Sequence, residues 1–254
     1  MISDALHFGT ENFEGEISIS HYCCDGKEFH GNVKCVKIET TVYAHLLPLQ
    51  LSSAIWHYDD DGSVLSVSYL DEKGELINDY FFMMDEAGKI MEINCYDHEM
   101  RRIASLYNLF DENGLVVLKY CLDEYEQLLW KEELIYNELG EIESRNMLNL
   151  KTAGTMSYFN FKYLDKKVTE YKVVPVGTSQ LLDHELFAFT IQQEYNLMGD
   201  KMKTTETSPS GSATIYNFDY QYDDFGNWTA CIVTNAQTNQ THFTYKRTIQ
   251  YDDE

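Results

Sequence analysis

The chain has 254 residues, 44% of them hydrophobic and 14% aromatic, which is ample for a buried core and excludes a natively disordered protein. Lys and Arg number 19 against 42 Asp and Glu, for a net charge of -23. A chain so acidic is repelled by phosphate backbones and anionic membranes, so no nucleic acid and no membrane is expected as a partner.

Met1 to Ser20 (MISDALHFGTENFEGEISIS) has no basic start and no apolar run before a small-residue cleavage site. It does not read as a signal peptide, and no stretch approaches the roughly 18 apolar residues of a membrane helix, so a cytoplasmic chain is expected. His21, Cys23, Cys24, His30 and Cys35 follow, a cluster of metal-ligand residue types. Their spacing is irregular and Cys23 and Cys24 are adjacent, unlike paired zinc knuckles, so ordinary thiols in a hairpin are favoured over a zinc site. Cys95, Cys121 and Cys231 complete the six cysteines, too sparse for a disulfide scaffold and read as buried thiols.

The informative signal is a repeat. Asp or Asn is followed three residues later by Gly at Asp59/Gly62, Asp71/Gly74, Asp85/Gly88, Asp111/Gly114, Asn137/Gly140, Asn196/Gly199 and Asp223/Gly226. Asp97 and Asp123 fall in the gaps, with Met100 and Glu126 in the glycine's place. From 59 to 137 the spacing alternates between 12 and 14 residues. Such a unit is a β-hairpin arm. Asp or Asn opens an Asx-turn, and Gly in the left-handed conformation makes the bulge that ends it. At Met100 and Glu126 a different turn type is expected. Acidic residues fill the tips (Asp60, Asp61, Glu72, Glu86, Glu112, Glu124, Glu138, Asp224), and an aromatic often precedes the turn, as in Tyr58, Phe110, Tyr136, Tyr195 and Tyr222.

Both spacings are even, so equivalent residues stay on one face of the sheet. Leu65, Val67 and Tyr69 alternate with Ser66 and Ser68, and Met91, Ile93 and Cys95 with Glu92 and Asn94. Between them, Tyr80, Phe81, Phe82 and Met83 are apolar on both faces, which implies partial cover there. Further along, Phe187, Phe189 and Ile191 alternate, so a strand is favoured over a helix within 181–197. Thr204 to Ser212 (TTETSPSGS) reads as a polar turn or loop.

The motif Tyr58-Asp59-Asp60-Asp61-Gly62 and its copy Tyr222-Asp223-Asp224-Phe225-Gly226, with the tail Lys246 to Tyr251, resembles the bacterial Rhs/YD-repeat class. The resemblance covers about residues 55–145 and 190–252 and implies long antiparallel meanders. The units here are shorter than is usual in that class, which leaves kinship with MORN-type hairpin repeats open.

The expected fold is all-β: an antiparallel hairpin-repeat meander of 12- and 14-residue units in one domain over residues 1–254. Roughly sixteen to nineteen strands would form a large twisted or curled sheet. No catalytic, cofactor-binding or metal-binding residue is assigned. The Asp59–Gly62 run lacks the first ligand of a calcium loop, since His57 stands there. His184, in Asp183-His184-Glu185, reads as a surface residue. The expected function is a non-catalytic scaffold presenting an acidic surface to a basic protein, in its sharper form an immunity- or antitoxin-like protein. The alternative is a carbohydrate-binding or carbohydrate-hydrolysing protein, using tyrosine faces or scattered carboxylates.

Overall fold

The structure, a computed structural model, describes residues 29–44, 47–150, 154–176 and 188–252, and every regular element among them is a β-strand. In chain order these are β1 Val33–Ala44, β2 Leu47–Tyr58, β3 Val64–Leu70, β4 Leu76–Met84, β5 Ile90–Asp97, β6 Arg102–Phe110, β7 Val116–Asp123 and β8 Leu128–Tyr136. There follow β9 Ile142–Asn149, β10 Gly154–Leu164, β11 Lys167–Val176, β12 Phe189–Tyr195, β13 Lys201–Thr207, β14 Ala213–Tyr222, β15 Trp228–Asn235 and β16 Gln240–Tyr251. Each pairs antiparallel with the next, and β16 returns to pair with β1, from Val33↔Tyr251 to Val42↔Phe243. The sheet is therefore a closed 16-strand barrel. This corrects the expected large twisted or curled sheet. An open meander would leave β1 and β16 as long unpaired edges, and their mutual pairing removes both.

The turns follow the expected chemistry in detail. In each, the Asp or Asn N–H donates to the carbonyl four residues on, and the Gly N–H donates back to the Asp carbonyl, as in Asp111 N–H to Leu115 O (2.9 Å) and Gly114 N–H to Asp111 O (3.1 Å). The Asp111 carboxylate Oδ1 accepts the N–H groups of Asn113 (2.9 Å) and Leu115 (2.8 Å). A register shift stands at or next to the last residue of the strands that lead into these turns, His57/Tyr58, Met83/Met84, Cys95/Tyr96 and Leu109/Phe110 among them, which is the bulge. Met100 and Glu126 do not mark another turn type. They hold φ of 60° and 63°, and their N–H groups bond Asp97 O and Asp123 O just as glycine's would. The turn's own hydrogen bonds thus hold an ordinary residue in the left-handed region.

Strand and turn boundaries refine two further expectations. Phe189 to Tyr195 is strand β12, while 181–187 lies outside the described residues. Thr204 to Thr207 belongs to strand β13, so the loop is only Ser208–Ser212, with Gly211 at positive φ.

Two successive units make a 26-residue hairpin, and residues 26 apart point the same way. Val67 and Ile93, Tyr69 and Cys95, and Tyr80 and Leu106 all bury inward. Buried side chains from Val33 to Trp130 form one continuous cluster over β1–β8, whereas β10–β12 and β14–β16 carry two smaller, aromatic-rich ones. The barrel's inside is its core.

The open end of a hairpin is tied by the aromatic that precedes the turn. Tyr136 at the end of β8 donates to Val116 O at the start of β7 (2.8 Å), Tyr163 to Ile142 O (2.9 Å) and Tyr195 to Val168 O (2.8 Å). At the seam, Tyr251 donates to the Asp223 carboxylate. The Asn227 side chain donates to Tyr251 Oη and His30 O and accepts from His30 N–H, pinning the segment before β1.

Gly114→Val puts a β-branched residue at φ +79° and should destabilise by more than about 1 kcal/mol. Met100→Gly relieves the opposite strain and should stabilise by up to about 1 kcal/mol. Urea midpoints measure both, and equal midpoints for Gly114→Val and wild type would refute the bulge.

Candidate binding surfaces

The carboxylates divide into two kinds. Those that open a turn are spent on backbone N–H groups: the Arg101 and Glu99 N–H groups bond Asp97, and this and the Arg101 guanidinium hold its carboxyl below the usual range. Asp111 is lowered in the same way, first by the Leu115 N–H. At Asp223, burial pushes up, but the Tyr251 hydroxyl and the N–H groups of Asn227 and Phe225 win and hold it low. The second-position residues have no such task. Glu72, Glu86, Glu112, Glu124, Glu138 and Asp224 are all exposed. Because strands alternate in direction, the tips form a ring at each mouth of the barrel: 59–62, 85–88, 111–114 and 137–140 at one, and 71–74, 97–100 and 123–126 at the other.

Along the strands, the outer wall is interrupted by charge. Ion pairs lie outward at Lys37–Glu39 (2.9 Å), Lys131–Glu133 (2.6 Å) and Lys203–Glu194 (2.7 Å), and Ser68 donates to Asp79 across β3 and β4 (2.5 Å). A lipid-facing barrel has the reverse order, an outward apolar band around a polar lumen.

Inside, buried polar groups interrupt the apolar lining, Glu132, Asp200, Thr204 and Glu206 among them. The buried Glu132 on β8 is flanked by Lys119 on β7 (Nζ to Oε2 3.7 Å) and by Arg145 on β9, whose Nε donates to Oε1. Arg145 in turn lies over the Tyr158 ring, 4.9 Å from its centroid. Sequence reasoning missed this triad, yet a signal existed. The inward series Val67, Ile93, Lys119, Arg145 and the series Tyr80, Leu106, Glu132, Tyr158 each step by 26 residues and turn charged in the same hairpins. At the mouth, Tyr222 donates to the buried Asp200 (2.7 Å), and burial, followed by that bond, pushes its phenol up to about 12.

The sites weighed from sequence are dispersed. His21, Cys23, Cys24 and His184 lie outside the described residues. Cys35 faces outward on β1 opposite His57, and Cys95, Cys121 and Cys231 are buried thiols. Among the described residues no group of three or more His, Cys, Asp or Glu converges as metal ligands. In the Asp59–Gly62 run, Asp59 is committed to the turn and Asp60 pairs with Lys34. Tyr69, Tyr80, Tyr158 and Tyr216 are core residues, not a stacking face.

No protein-family model and no curated protein matches the sequence. A porin-like protein from Bacteroides uniformis shares the fold, with a TM-score of 0.55 and 10% identity over 86% of this chain and 98% of that one. A porin-like protein from Bacteroides vulgatus (TM-score 0.36, 12% identity, 85% and 98% covered) is more distant in shape. So is an outer membrane lipoprotein-sorting protein domain from Vibrio parahaemolyticus (TM-score 0.28, 8% identity, 93% and 93% covered). The closed 16-strand barrel, a fold shared with the Bacteroides uniformis protein, and the lack of any matching family model overturn the resemblance to the Rhs/YD-repeat class. The Tyr-Asp-x-x-Gly motif is explained by turn and hairpin-end chemistry, which any tight antiparallel meander needs. The expected cytoplasmic location is not kept either: the protein that shares this fold at a TM-score of 0.55 is described as porin-like.

Two tests follow. Glu132→Ala leaves two cations in the core and should cost about 3–5 kcal/mol in urea melts, and a cost near zero would mean the triad is solvated. Asp97, Asp111 and Asp223 are held low in the folded state, so their stabilisation is full above about pH 4 and is lost as pH falls through their lowered values. Acidification from pH 8 toward the isoelectric point near 4.6 relieves self-repulsion, so Tm should rise toward pH 5 and then fall. A Tm that declines steadily from pH 8 to 5 would contradict this.

Proposed function

We propose that this chain is a non-catalytic barrel scaffold that binds a basic protein through the carboxylates at its turn tips. The observation that supports it best is the division among those carboxylates. The first of each turn is consumed by backbone N–H groups, whereas the exposed second, Glu86 or Glu112 for example, contributes nothing the turn requires. Concentrated at the turns between β2 and β9, these groups make an acidic arc at each mouth that steers a cationic partner and repels an anionic one. The charged outer wall supports a barrel surrounded by water, and the porin-like neighbour supports a place in the cell envelope rather than the cytoplasm.

Purification from the native host at low and high salt tests the reading. A stoichiometric basic protein should accompany the chain at low salt and leave it at high salt. Absence of any partner at low salt, or a neutral sugar retained at both, would refute it.

A further inference from the structure

Strand β4 is apolar on both faces, and among the described residues none covers the outer one. Tyr80 and Phe82 are buried inward, while Phe81 and Met83 point outward with 38% and 54% of their surface exposed. They are not isolated. Met83 stands opposite Glu92 on β5, Glu92 opposite Tyr107 on β6, and Tyr107 opposite Tyr120 on β7. The two tyrosine rings stack at 5.1 Å, Phe81 meets Tyr96 edge-on at 5.7 Å, and Leu109, 44% exposed, lies beside Leu118. With strands about 4.8 Å apart, this apolar band is about 14 Å wide. On the opposite side of the barrel the outward positions of β14–β16 are mainly polar, such as Asn217, Asp219, Gln221, Thr244 and Lys246.

We infer that the outer face of β4–β7 is the docking surface for a basic, amphipathic segment of the partner protein. The inference rests on the proposed binding of a basic protein and gives that binding a place. Charge selects the occupant. From Leu76 to Gln127 eleven carboxylates stand against four basic residues. Of the four, Lys119 turns inward to Glu132, Arg101 is held by Asp97 and Glu99, and the Lys89 ammonium lies over the Phe110 ring. A second copy would bring like charge against this face, and anionic lipid headgroups would do the same. A segment with apolar residues at its centre and Lys or Arg at its margins satisfies both the exposed rings and the tips at Glu86 and Glu112. An apolar patch rimmed by charge is the usual anatomy of such a site.

The test uses two defined probes, a synthetic amphipathic peptide of leucine and lysine and an oligolysine of equal charge. Wild type should bind the amphipathic peptide about tenfold more tightly than oligolysine, a difference of about 1.4 kcal/mol. Phe81→Ser/Met83→Ser/Leu109→Ser should lose that preference with oligolysine affinity unchanged, and Ile232→Ser, on the outside of β15, should keep it. Met83→Glu alone serves if the triple variant melts early. If the variants and wild type prefer the amphipathic peptide equally, this face is not the docking surface although the basic-partner reading stands. If wild type binds neither probe, both fall. Uptake by phosphatidylglycerol vesicles that wild type shows and the triple variant lacks would assign the face to a membrane and overturn the proposal.

Discussion

One carboxylate oxygen accepting two backbone N–H groups is the interaction on which this structure rests. It closes a turn of fixed length, and fixed length sets the register of the next strand. Register decides which side of the sheet each residue takes, because a slip of one exchanges inside for outside. The bulge at each strand end absorbs the one residue that would otherwise cause such a slip. Positive φ at Met100 and Glu126 shows the order of priority. The backbone bonds and the Asp side chain impose the left-handed conformation, and glycine merely lowers its cost.

Closure is a second and separate constraint. Consecutive hairpins guarantee a meander, but nothing local makes its ends meet. Here the last strand pairs with the first over most of its length, and the Asn227 side chain grips both chain strands of the seam, at His30 and at Tyr251. Those partners are 197 and 24 residues away. The tyrosines before the turns do comparable work at shorter range, holding the open ends of hairpins together. An aromatic that recurs before an Asp or Asn is therefore a structural device and needs no shared ancestry to explain it.

Local chemistry was legible in advance and distant pairing was not. The turn positions, the alternation of Val67 with Ser68 and of Ile93 with Asn94, and the all-β class follow from neighbours in sequence. Whether the sheet closes depends on β1 meeting β16, and no periodicity encodes an encounter between Ile38 and Arg247. The interior triad lies between these extremes. Lys119, Glu132 and Arg145 come from three successive strands, so an established register is needed before their meeting can be seen. Charge at an inward position is a conspicuous break only after inward has been defined. Phe81 and Met83 present the converse case. Their apolar character was plain, but an expected cover within the chain and a cover supplied from outside look the same in sequence.

The distribution of charge then limits what the molecule can do. Among the described residues the buried carboxylates are Glu132, Asp200 and Glu206, the first two matched by cations or a hydroxyl donor, so the excess of negative charge lies on the outside and at the mouths. That excess opposes folding by self-repulsion, and the turns do not require it, since the Ser208–Gly211 turn makes the same two backbone hydrogen bonds with Pro209 at the second position and no carboxylate. Solubility alone is served by charge spread evenly over the wall. Charge gathered at the rims, with an aromatic band on β4–β7 between them that no described residue covers, instead imposes a polarity on what can approach. On the proposed reading, dispersion and burial reward a partner that covers Phe81, Met83 and Leu109, and electrostatics selects against one that does so without bringing cations.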